Sequence, residues 1–211
     1  MKILKTATII LVVLVAISLI VYLIPFEKIT SYIPFINKLY NNTSLTVNSR
    51  NGKAVISVNG KDYGQTPVTI SDLSAGEYEI SMTRISTSSD FYKEKKVKVE
   101  LQRHTEAIVD VEIGPNDIIS GYVLYYTQSP IKNSDSGYIT ISSNPSGTNI
   151  YLDDEFFQKA PVNVFQFKAG DFNVKVTQDG YEDIKFPIVV RNGYNLNINT
   201  YLYPIPINII K

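Results

Sequence analysis

The chain has 211 residues, with 20 basic side chains, 20 acidic side chains and no cysteine. The balanced charge argues against nucleic acid as a partner, because nucleic-acid binding usually needs a strongly positive surface. The lack of cysteine excludes disulfides, thiolate nucleophiles and zinc–thiolate sites. With 44% hydrophobic and 19% charged residues, the chain has enough apolar material to form folded domains.

The N-terminal segment predicts a membrane anchor. Residues 6–26 carry no charge, and as a helix rising about 1.5 Å per residue they extend about 31 Å, close to the ~30 Å hydrocarbon core of a bilayer. The alternatives are a buried core helix and a cleaved signal peptide. Lys2 and Lys5 also resemble the basic region at the start of a signal peptide. Because a signal peptide usually has a shorter apolar region, the length favours an uncleaved signal-anchor.

Residues 27–43 follow the anchor as a juxtamembrane collar, with aromatic side chains where they commonly meet lipid headgroups. A simple stalk with incidental aromatic residues is the alternative. Lys2 and Lys5 on one side of the span oppose Lys28 and Lys38 on the other, so the charge bias is weak. Since β-rich modules after a signal-anchor are usually translocated, we expect a single-pass protein of the cell membrane, N-in, with extracytoplasmic C-terminal domains.

The rest of the sequence predicts two related all-β modules. Short runs of alternating polar and apolar residues, separated by turn residues, are typical of strands with one buried face. Shifting the sequence by 94 positions aligns Pro67 with Pro161 and Gly76 with Gly170, without a gap from Leu45 to Thr83. A one-residue slip would invert every strand face, so the shared apolar pattern indicates a duplication.

The repeat sets the predicted boundaries. Residues 44–114 form the first module and residues 138–203 the second, each with roughly six short strands. Residues 115–137 join them as a linker, in which Ile119–Thr127 is a candidate for an added edge strand. Residues 204–211 form a C-terminal tail. We therefore expect two small tandem β-sandwich modules, each folding separately, preceded by one transmembrane helix.

Several motifs resemble the PEGA family, small β-sandwich modules usually found on extracytoplasmic parts of bacterial and archaeal proteins. Ser143–Thr148 is similar to the family's opening strand and Pro-x-Gly-Ala element, and Gly64–Pro67 is similar to its Gly-x-Thr-Pro element. Leu73–Gly76 is similar to a later Leu-x-x-Gly, and Gly180-Tyr181 keeps a Gly-Tyr pair, whereas Gln158–Pro161 lacks the glycine before Thr-Pro. The resemblance implies a tandem β-sandwich fold and carries no catalytic residue.

Three polar segments are candidates for a catalytic or ion-binding site. We predict that His104 is a surface turn residue rather than a catalytic base, because no nucleophile motif accompanies it. The acidic turn Asp153–Glu155 has oxygens that suit Ca²⁺, but adjacent carboxylates at a strand turn point apart, which favours a solvated hairpin tip. Lys93–Lys98 predicts a solvated strand face, with contact to anionic polymers as the alternative. We predict no catalytic residue, cofactor or metal ligand.

Tyr122, Tyr125 and Tyr126 form the candidate interaction surface, because tyrosine combines apolar area with a hydroxyl group. Cross-strand packing is the alternative, and adjacent tyrosines face opposite sides of a strand, so at most a subset shares one face. We expect a non-enzymatic, membrane-anchored structural or interaction protein that presents its modules to an envelope protein or cell-wall polymer. A ligand- or glycan-sensing ectodomain working with a separate signalling partner is the alternative.

Overall fold

A computed structural model of the protein describes residues 11, 13, 15, 18, 43–87, 91–129, 131 and 135–206. Apart from five positions, the predicted anchor at residues 6–26 and the collar at residues 27–43 lie outside the described residues. Within the part that is described, no helix has the length and apolar character needed to cross a membrane. The chain from Thr43 onward belongs to one unit, separate from Met1–Asn42.

Seven strands come first along the chain, then one strand in the linker, then seven more. The first seven are β1 (Ser44–Ser49), β2 (Ala54–Val58), β3 (Lys61–Gln65), β4 (Val68–Ser71), β5 (Gly76–Arg84), β6 (Lys95–Leu101) and β7 (Glu106–Ile113). The linker strand is β8 (Ile119–Gln128). The last seven are β9 (Ser136–Asn144), β10 (Asn149–Leu152), β11 (Glu155–Lys159), β12 (Val162–Lys168), β13 (Gly170–Thr177), β14 (Ile184–Val190) and β15 (Tyr194–Tyr201). The all-β prediction is confirmed, with seven strands per module instead of the six expected.

The strands form three sheets. Seven of them build a large sheet in the order β12-β9-β15-β8-β7-β1-β4, and two smaller sheets have the orders β3-β2-β5-β6 and β11-β10-β13-β14. In the large sheet β1 is parallel to β7 and antiparallel to β4, and β9 is parallel to β15 and antiparallel to β12. Counted outward from β8, the two halves therefore contain equivalent strands in the same order, as the repeat predicts.

The linker strand lies at the centre of the large sheet, not at an edge as we expected. β8 is antiparallel to both of its neighbours, β7 and β15, so these two equivalent strands run in the same direction. Alternate side chains of β8 enter different cores. Val123 belongs to the first core, whereas Tyr122, Leu124 and Tyr126 belong to the second. The two modules are therefore related by a pseudo-twofold axis along β8, which keeps strand direction and exchanges the faces of the sheet.

Each core lies between one small sheet and one face of the large sheet. On β7 the buried residues Val109 and Val111 face the first core, and on β15 Leu196 and Ile198 face the second. The small sheets contribute equivalent strands from the repeat, β6 and β14. Their buried residues include Val97, Val99 and Leu101 in the first module and Phe186, Ile188 and Val190 in the second. This alternation of buried and exposed positions is what the sequence pattern predicts for strands with one covered face.

The hairpin turns of the two modules are also built alike. Asn59 and Asp153, 94 positions apart, have positive φ angles of 48° and 49°. Their side-chain Oδ1 atoms accept hydrogen bonds from the backbone N–H groups of Glu79 and Asn173, each at 2.8 Å. Asn and Asp tolerate this left-handed conformation better than other residues with a Cβ atom. The tip of the acidic turn is therefore a structural element that both modules share.

Gly121 allows β8 to approach β7 closely. Its φ angle is 126°, and a Cβ atom there would lie 2.1 Å from the carbonyl oxygen of Asp110 and 2.8 Å from the Cα atom of Val111. Both obstacles belong to the backbone of β7, so they cannot rotate away as a side chain does. Only glycine fits this position without moving the central strand.

Candidate binding cleft in the second module

The three tyrosines predicted as an interaction surface are not gathered on an exposed face. Tyr122 and Tyr126 are only 8% and 6% exposed, and Tyr125 is half-buried against the first core. The cause is the central position of β8, because a strand whose two faces are both covered packs the side chains on each of them. Tyr122 and Tyr126 are core residues, and only Tyr125 keeps partial exposure.

Tyr122 joins side chains of both modules. Its ring stacks on Phe186 with a centroid separation of 4.0 Å and an interplanar angle of 20°. The guanidinium of Arg50 lies 5.4 Å from the ring centroid, and its Nε donates a hydrogen bond of 3.0 Å to Asp110. Burial, together with the nearby Asp110 carboxylate, raises the pKa of Tyr122 to about 12. The hydroxyl is therefore neutral at physiological pH.

Tyr126 and Arg191 form a second link between the modules. The Tyr126 hydroxyl donates a hydrogen bond of 2.6 Å to the carbonyl of Val189, and burial raises the pKa of Tyr126. The guanidinium of Arg191 lies 4.8 Å from the Tyr126 ring centroid and donates to the backbone carbonyl of His104 at 3.2 Å. His104 itself is exposed in a turn, as predicted.

Two carboxylates of the acidic turn are engaged within the fold. Asp153 accepts the hydrogen bond from the backbone of Asn173, and Asp154 forms an ion pair with Lys185 at 2.9 Å. The hydrogen bond and charge of Lys185 lower the pKa of Asp154. Glu155 is exposed, and its carboxylate has no hydrogen bond or ion pair within the described part of the chain. Nor do the described residues contain a group of three or more metal-ligating side chains.

The lysine run lies on β6, an edge strand of the first module's small sheet. Lys96 forms an ion pair with Glu79 at 3.0 Å, and this contact raises the pKa of Lys96. Lys95 is buried and donates a hydrogen bond of 2.8 Å to the carbonyl of Asn116. The run is therefore not one uniform solvated face, because Lys95 is directed into the module and Lys96 away from it.

A cluster of phenylalanine rings lies at the outer edge of the second module, where β11 and β12 are the last strands of their sheets. We call it the phenylalanine cluster. Its rings Phe157, Phe165, Phe167 and Phe172 contact one another, and it also includes the neighbouring Phe156, whose ring packs edge-to-face on Tyr151 at 5.6 Å. Phe157 meets Phe165 and Phe167 edge-to-face at centroid separations of 4.9 and 5.2 Å. Phe167 meets Phe172 at 5.7 Å. Phe156 and Phe165 are 59% and 44% exposed, so the cluster presents aromatic surface to solvent.

A β-bulge in β12 directs two of these rings into the cluster. Val162 pairs with Ile141 and Phe165 pairs with Ile139, so two residues of β12 occupy the space of one residue of β9. The extra residue returns Phe165, and with it Phe167, to the face on which Val162 is buried. Without it, the alternation of the strand would turn these two rings away from Phe157.

The phenylalanine cluster lines a cleft with a volume of about 440 Å³. Four of its residues line the cleft, together with Leu152 and the two carboxylate residues Asp153 and Glu155. No lysine or arginine is among the described residues that line it. The faces of aromatic rings carry partial negative charge, so the rings and the carboxylates give the cleft one electrostatic sign.

The first module, as far as its residues are described, has no comparable phenylalanine cluster. The positions 94 residues before the five phenylalanines are occupied by Asp62, Tyr63, Ser71, Leu73 and Tyr78. β4, the equivalent of β12, pairs with β1 in a regular register from Val68 to Ser71, without a bulge. The described residues of the first module therefore do not reproduce the aromatic cleft of the second. Sequence reasoning missed it, although five of the nine phenylalanines of the chain lie between positions 156 and 172.

Comparison with known proteins bears on the fold. Among solved structures, the chain is similar to "The Bacillus anthracis TIE protein", at 14% sequence identity and a TM-score of 0.26. The match covers 78% of this chain and 34% of that one, so this chain spans about a third of its length. A search of curated proteins found no match. The PEGA domain family matches residues 42–117 and 136–205, about two-thirds of the sequence. These two ranges coincide with the two modules, and the chain belongs to the PEGA domain family.

Proposed function

We propose that this PEGA-domain protein is a membrane-anchored, non-enzymatic interaction protein of the cell envelope, with its modules outside the cytoplasm. The observation that supports the proposal is the cleft of the phenylalanine cluster on the second module. Contiguous exposed apolar surface is uncommon on soluble domains and usually marks a binding site. The partner in this proposal is an envelope protein or a cell-wall polymer.

The shared sheet suits such a role. β8 is hydrogen-bonded to the large-sheet strands of both modules, and its side chains contribute to both cores. The phenylalanines that line the cleft lie on strands β11, β12 and β13 of the two sheets that enclose the second core, not on a loop. Binding sites on sheets and helices are positioned more accurately than sites on loops.

The anchoring half of the proposal rests on the uncharged residues 6–26. If this segment is an uncleaved anchor, the mature protein retains Met1 and sediments with membranes. Protease added to intact cells should then digest residues beyond about position 42, since domains after a signal-anchor are usually translocated. An intact soluble protein lacking the first ~25 residues would show that the segment is a cleaved signal peptide.

The interaction half can be tested by capture with the full-length protein in a non-ionic detergent. Purified cell-wall polymer and envelope proteins would be applied to the wild type and to the double variant Phe156→Ser, Phe165→Ser. The matched control is Ile85→Ser, Phe91→Ser in the first module, because these side chains are 46% and 60% exposed. Capture should fall for the cluster variant and persist for the control. Equal capture by both variants would remove the cleft as the binding site.

The size of the cleft also favours a second candidate, the ligand- or glycan-sensing ectodomain. About 440 Å³ lies within the range of roughly 300–1,000 Å³ that is typical of small-molecule sites. This function requires a signalling partner protein. Competition separates sensing from docking on an envelope protein, because a soluble oligosaccharide that abolishes capture of the protein supports sensing, whereas unaffected capture supports a docking role.

A further inference from the structure

We infer that the cleft of the phenylalanine cluster selects an arginine side chain, presented by an apolar segment of a partner protein. This inference rests on the proposed function and specifies the chemistry of its partner. Three features of the described residues support it: the electrostatic sign of the cleft, the lack of a cation paired with Glu155, and the way this chain binds its own arginines.

The wall of the cleft attracts a cation that also has apolar surface. Aromatic faces attract a guanidinium group, which is planar, weakly hydrated and able to stack on a ring. Phe156, Phe157, Phe167 and Phe172 line the cleft together with the carboxylate residues Asp153 and Glu155. An anionic ligand would be repelled by this lining, and a purely apolar one would leave the exposed carboxylates unused.

Glu155 is the charged group available to such a ligand. The nearby cations are already engaged, because Lys185 pairs with Asp154 at 2.9 Å and Lys175 pairs with Asp183 at 3.3 Å. Asp153 is held by the backbone of Asn173. A guanidinium that enters the cleft can therefore donate its N–H groups to the Glu155 carboxylate. Arginine suits this pairing, because its N–H groups match the two oxygens of a carboxylate.

The same combination of ring and oxygen acceptor binds three arginines within this chain. Arg50 lies 5.4 Å from the Tyr122 centroid and donates to Asp110. Arg84 lies 4.6 Å from the centroid of the Tyr92 ring and donates to a backbone carbonyl at 2.7 Å. Arg191 is placed in the same way, as described above. The cleft offers rings beside an acceptor, with no arginine of the described chain among its lining residues.

The position of the cleft favours a protein segment as the source of the arginine. The cleft opens where β11 and β12 end their sheets, and Phe165, which contacts Phe157 and is 44% exposed, extends the apolar surface beyond the lining residues. Apolar residues that flank an arginine can pack on these rings while the guanidinium reaches Glu155. Such a mixed contact, with aromatic anchors around a charged group, is typical of protein interfaces.

A matched pair of peptides tests the inference. The full-length protein in a non-ionic detergent would be titrated into fluorescein-labelled Ala-Leu-Arg-Leu-Arg-Leu-Ala, and into the same peptide with citrulline, a neutral isostere, in place of arginine. Fluorescence anisotropy gives both dissociation constants. We expect the citrulline peptide to bind about tenfold more weakly, since it loses the attraction to the rings and to the carboxylate.

Variants assign the effect to the cleft. Glu155→Gln should weaken binding of the arginine peptide about threefold and leave the citrulline peptide unchanged, as expected for an exposed charge pair. Phe156→Ser should weaken both peptides. Asp62→Asn, which removes an exposed carboxylate from the first module, is the matched control and should change neither. Circular dichroism melting curves would verify that each variant is folded.

The outcomes separate this inference from the proposed function. Equal binding of the two peptides overturns the selection of arginine. Unchanged binding of the arginine peptide to Glu155→Gln overturns it as well. If envelope capture still depends on Phe156 and Phe165 in that case, the proposed function stands. Loss of both the peptide effect and the cluster-dependent capture overturns the two proposals together. A cell-wall polymer whose binding depends on Phe156 but not on Glu155 also contradicts the arginine specificity.

Discussion

The two modules share their topology but differ at their outer edges. Both have seven strands, equivalent sheet positions and the same hairpin turn. The outermost strand of the large sheet is regular in the first module and bulged in the second. The edge of the small sheet likewise changes from Asp62-Tyr63 to Phe156-Phe157. The comparison shows that core and turns can stay fixed while one edge is converted into an aromatic cleft.

An edge strand permits this change because only one of its sides is hydrogen-bonded to a neighbour. An extra residue in a central strand would disturb two ladders, whereas in β12 it disturbs only the pairing with β9. A bulge at an edge also hinders pairing with another chain. The second module can therefore expose aromatic side chains while its backbone edge remains irregular.

The modules also differ in the β8 side chains that pack into their cores. The second core receives Tyr122, Leu124 and Tyr126, whereas the first core receives Val123 with partial cover from Ile119 and Tyr125. The second module thus depends more heavily on a strand that precedes it in the chain. The following predictions test this asymmetry and the difference at the edges.

The largest effect is expected when β8 is removed from the second module. We compare fragment 138–206 with fragment 119–206, which retains the strand. Each large side chain that becomes buried contributes about 1.5–3 kcal/mol. Because β8 brings three of them to the second core, the free energy of unfolding should rise by several kcal/mol in the longer fragment. Urea denaturation followed by circular dichroism measures the difference.

The first module supplies the matched comparison. Fragment 44–129 should gain less over fragment 44–114, because Val123 is the β8 residue buried in its core. The gain there is expected to be about 1.5 kcal/mol. If neither module gains stability from β8, each closes its own core without the strand, as the repeat pattern alone predicts. Equal gains would contradict the asymmetry.

The sequence predicts the strand correspondence well and the central strand poorly. Alternation identifies one-faced strands such as β6 and β14, because their buried positions recur at every second residue. The run Gly121–Tyr126 is almost continuously buried, which is typical of a strand covered on both faces. We interpreted a subset of its tyrosines as a candidate surface, with cross-strand packing as the alternative, because the strand was expected at an edge of the sheet.

The bulge could not be read from the repeat. A gapless shift of 94 positions pairs Ile70 with Val164, but the partner of Ile139 in the sheet is Phe165, just as the partner of Leu45 is Ile70. The stretch from Phe165 to Gly170 is one residue shorter than the stretch from Ile70 to Gly76, and this compensates for the extra residue. Gly76 and Gly170 therefore stay 94 positions apart, and the alignment shows no gap. The cleft depends on this shift, and only the strand pairing reveals it.

The next largest effect concerns the high-pH stability that Tyr122 gives to the second core. Its pKa in the folded protein, about 12, lies above the ordinary value near 10. Folding therefore favours the neutral hydroxyl, and this contribution is complete below pH 10 and is lost as the pH rises through 12. Between pH 9 and pH 12 the wild type should lose about 2 kcal/mol more than Tyr122→Phe, measured by urea denaturation.

Tyr125→Phe is the control on the opposite face of β8. Burial also raises the pKa of Tyr125, but this residue is only half-buried. Its substitution should change the pH dependence less than Tyr122→Phe does. The other tyrosines titrate in all three proteins, so their effect cancels in the comparison. Equal pH profiles for the wild type and Tyr122→Phe would contradict a buried neutral hydroxyl.

A smaller effect tests the bulge itself. Val164 has a φ angle of 43°, where a residue with a Cβ atom is strained by about 1–2 kcal/mol. Val164→Gly relieves that strain but adds roughly 0.5–1 kcal/mol of backbone entropy cost, so a net stabilisation of about 0.5 kcal/mol is expected. Thr69→Gly in the regular strand of the first module should instead destabilise by about 1 kcal/mol. Thermal melting measures both, and the same sign for both would contradict a strained bulge.

The smallest effect is expected where the modules are most alike, at the hairpin turns. Asp153→Asn and Asn59→Asp should each change the free energy of unfolding by less than about 0.5 kcal/mol, because either side chain accepts the backbone hydrogen bond at positive φ. Asp153→Ala and Asn59→Ala lose both properties and should cost about 1–2 kcal/mol. Thermal melts with and without a chelator complete the test. If the chelator destabilises the wild type but not Asp153→Asn, the acidic turn binds a cation. If all four variants keep their expected order in both conditions, the carboxylate of Asp153 acts only as the hydrogen-bond acceptor that Asn59 supplies in the first module.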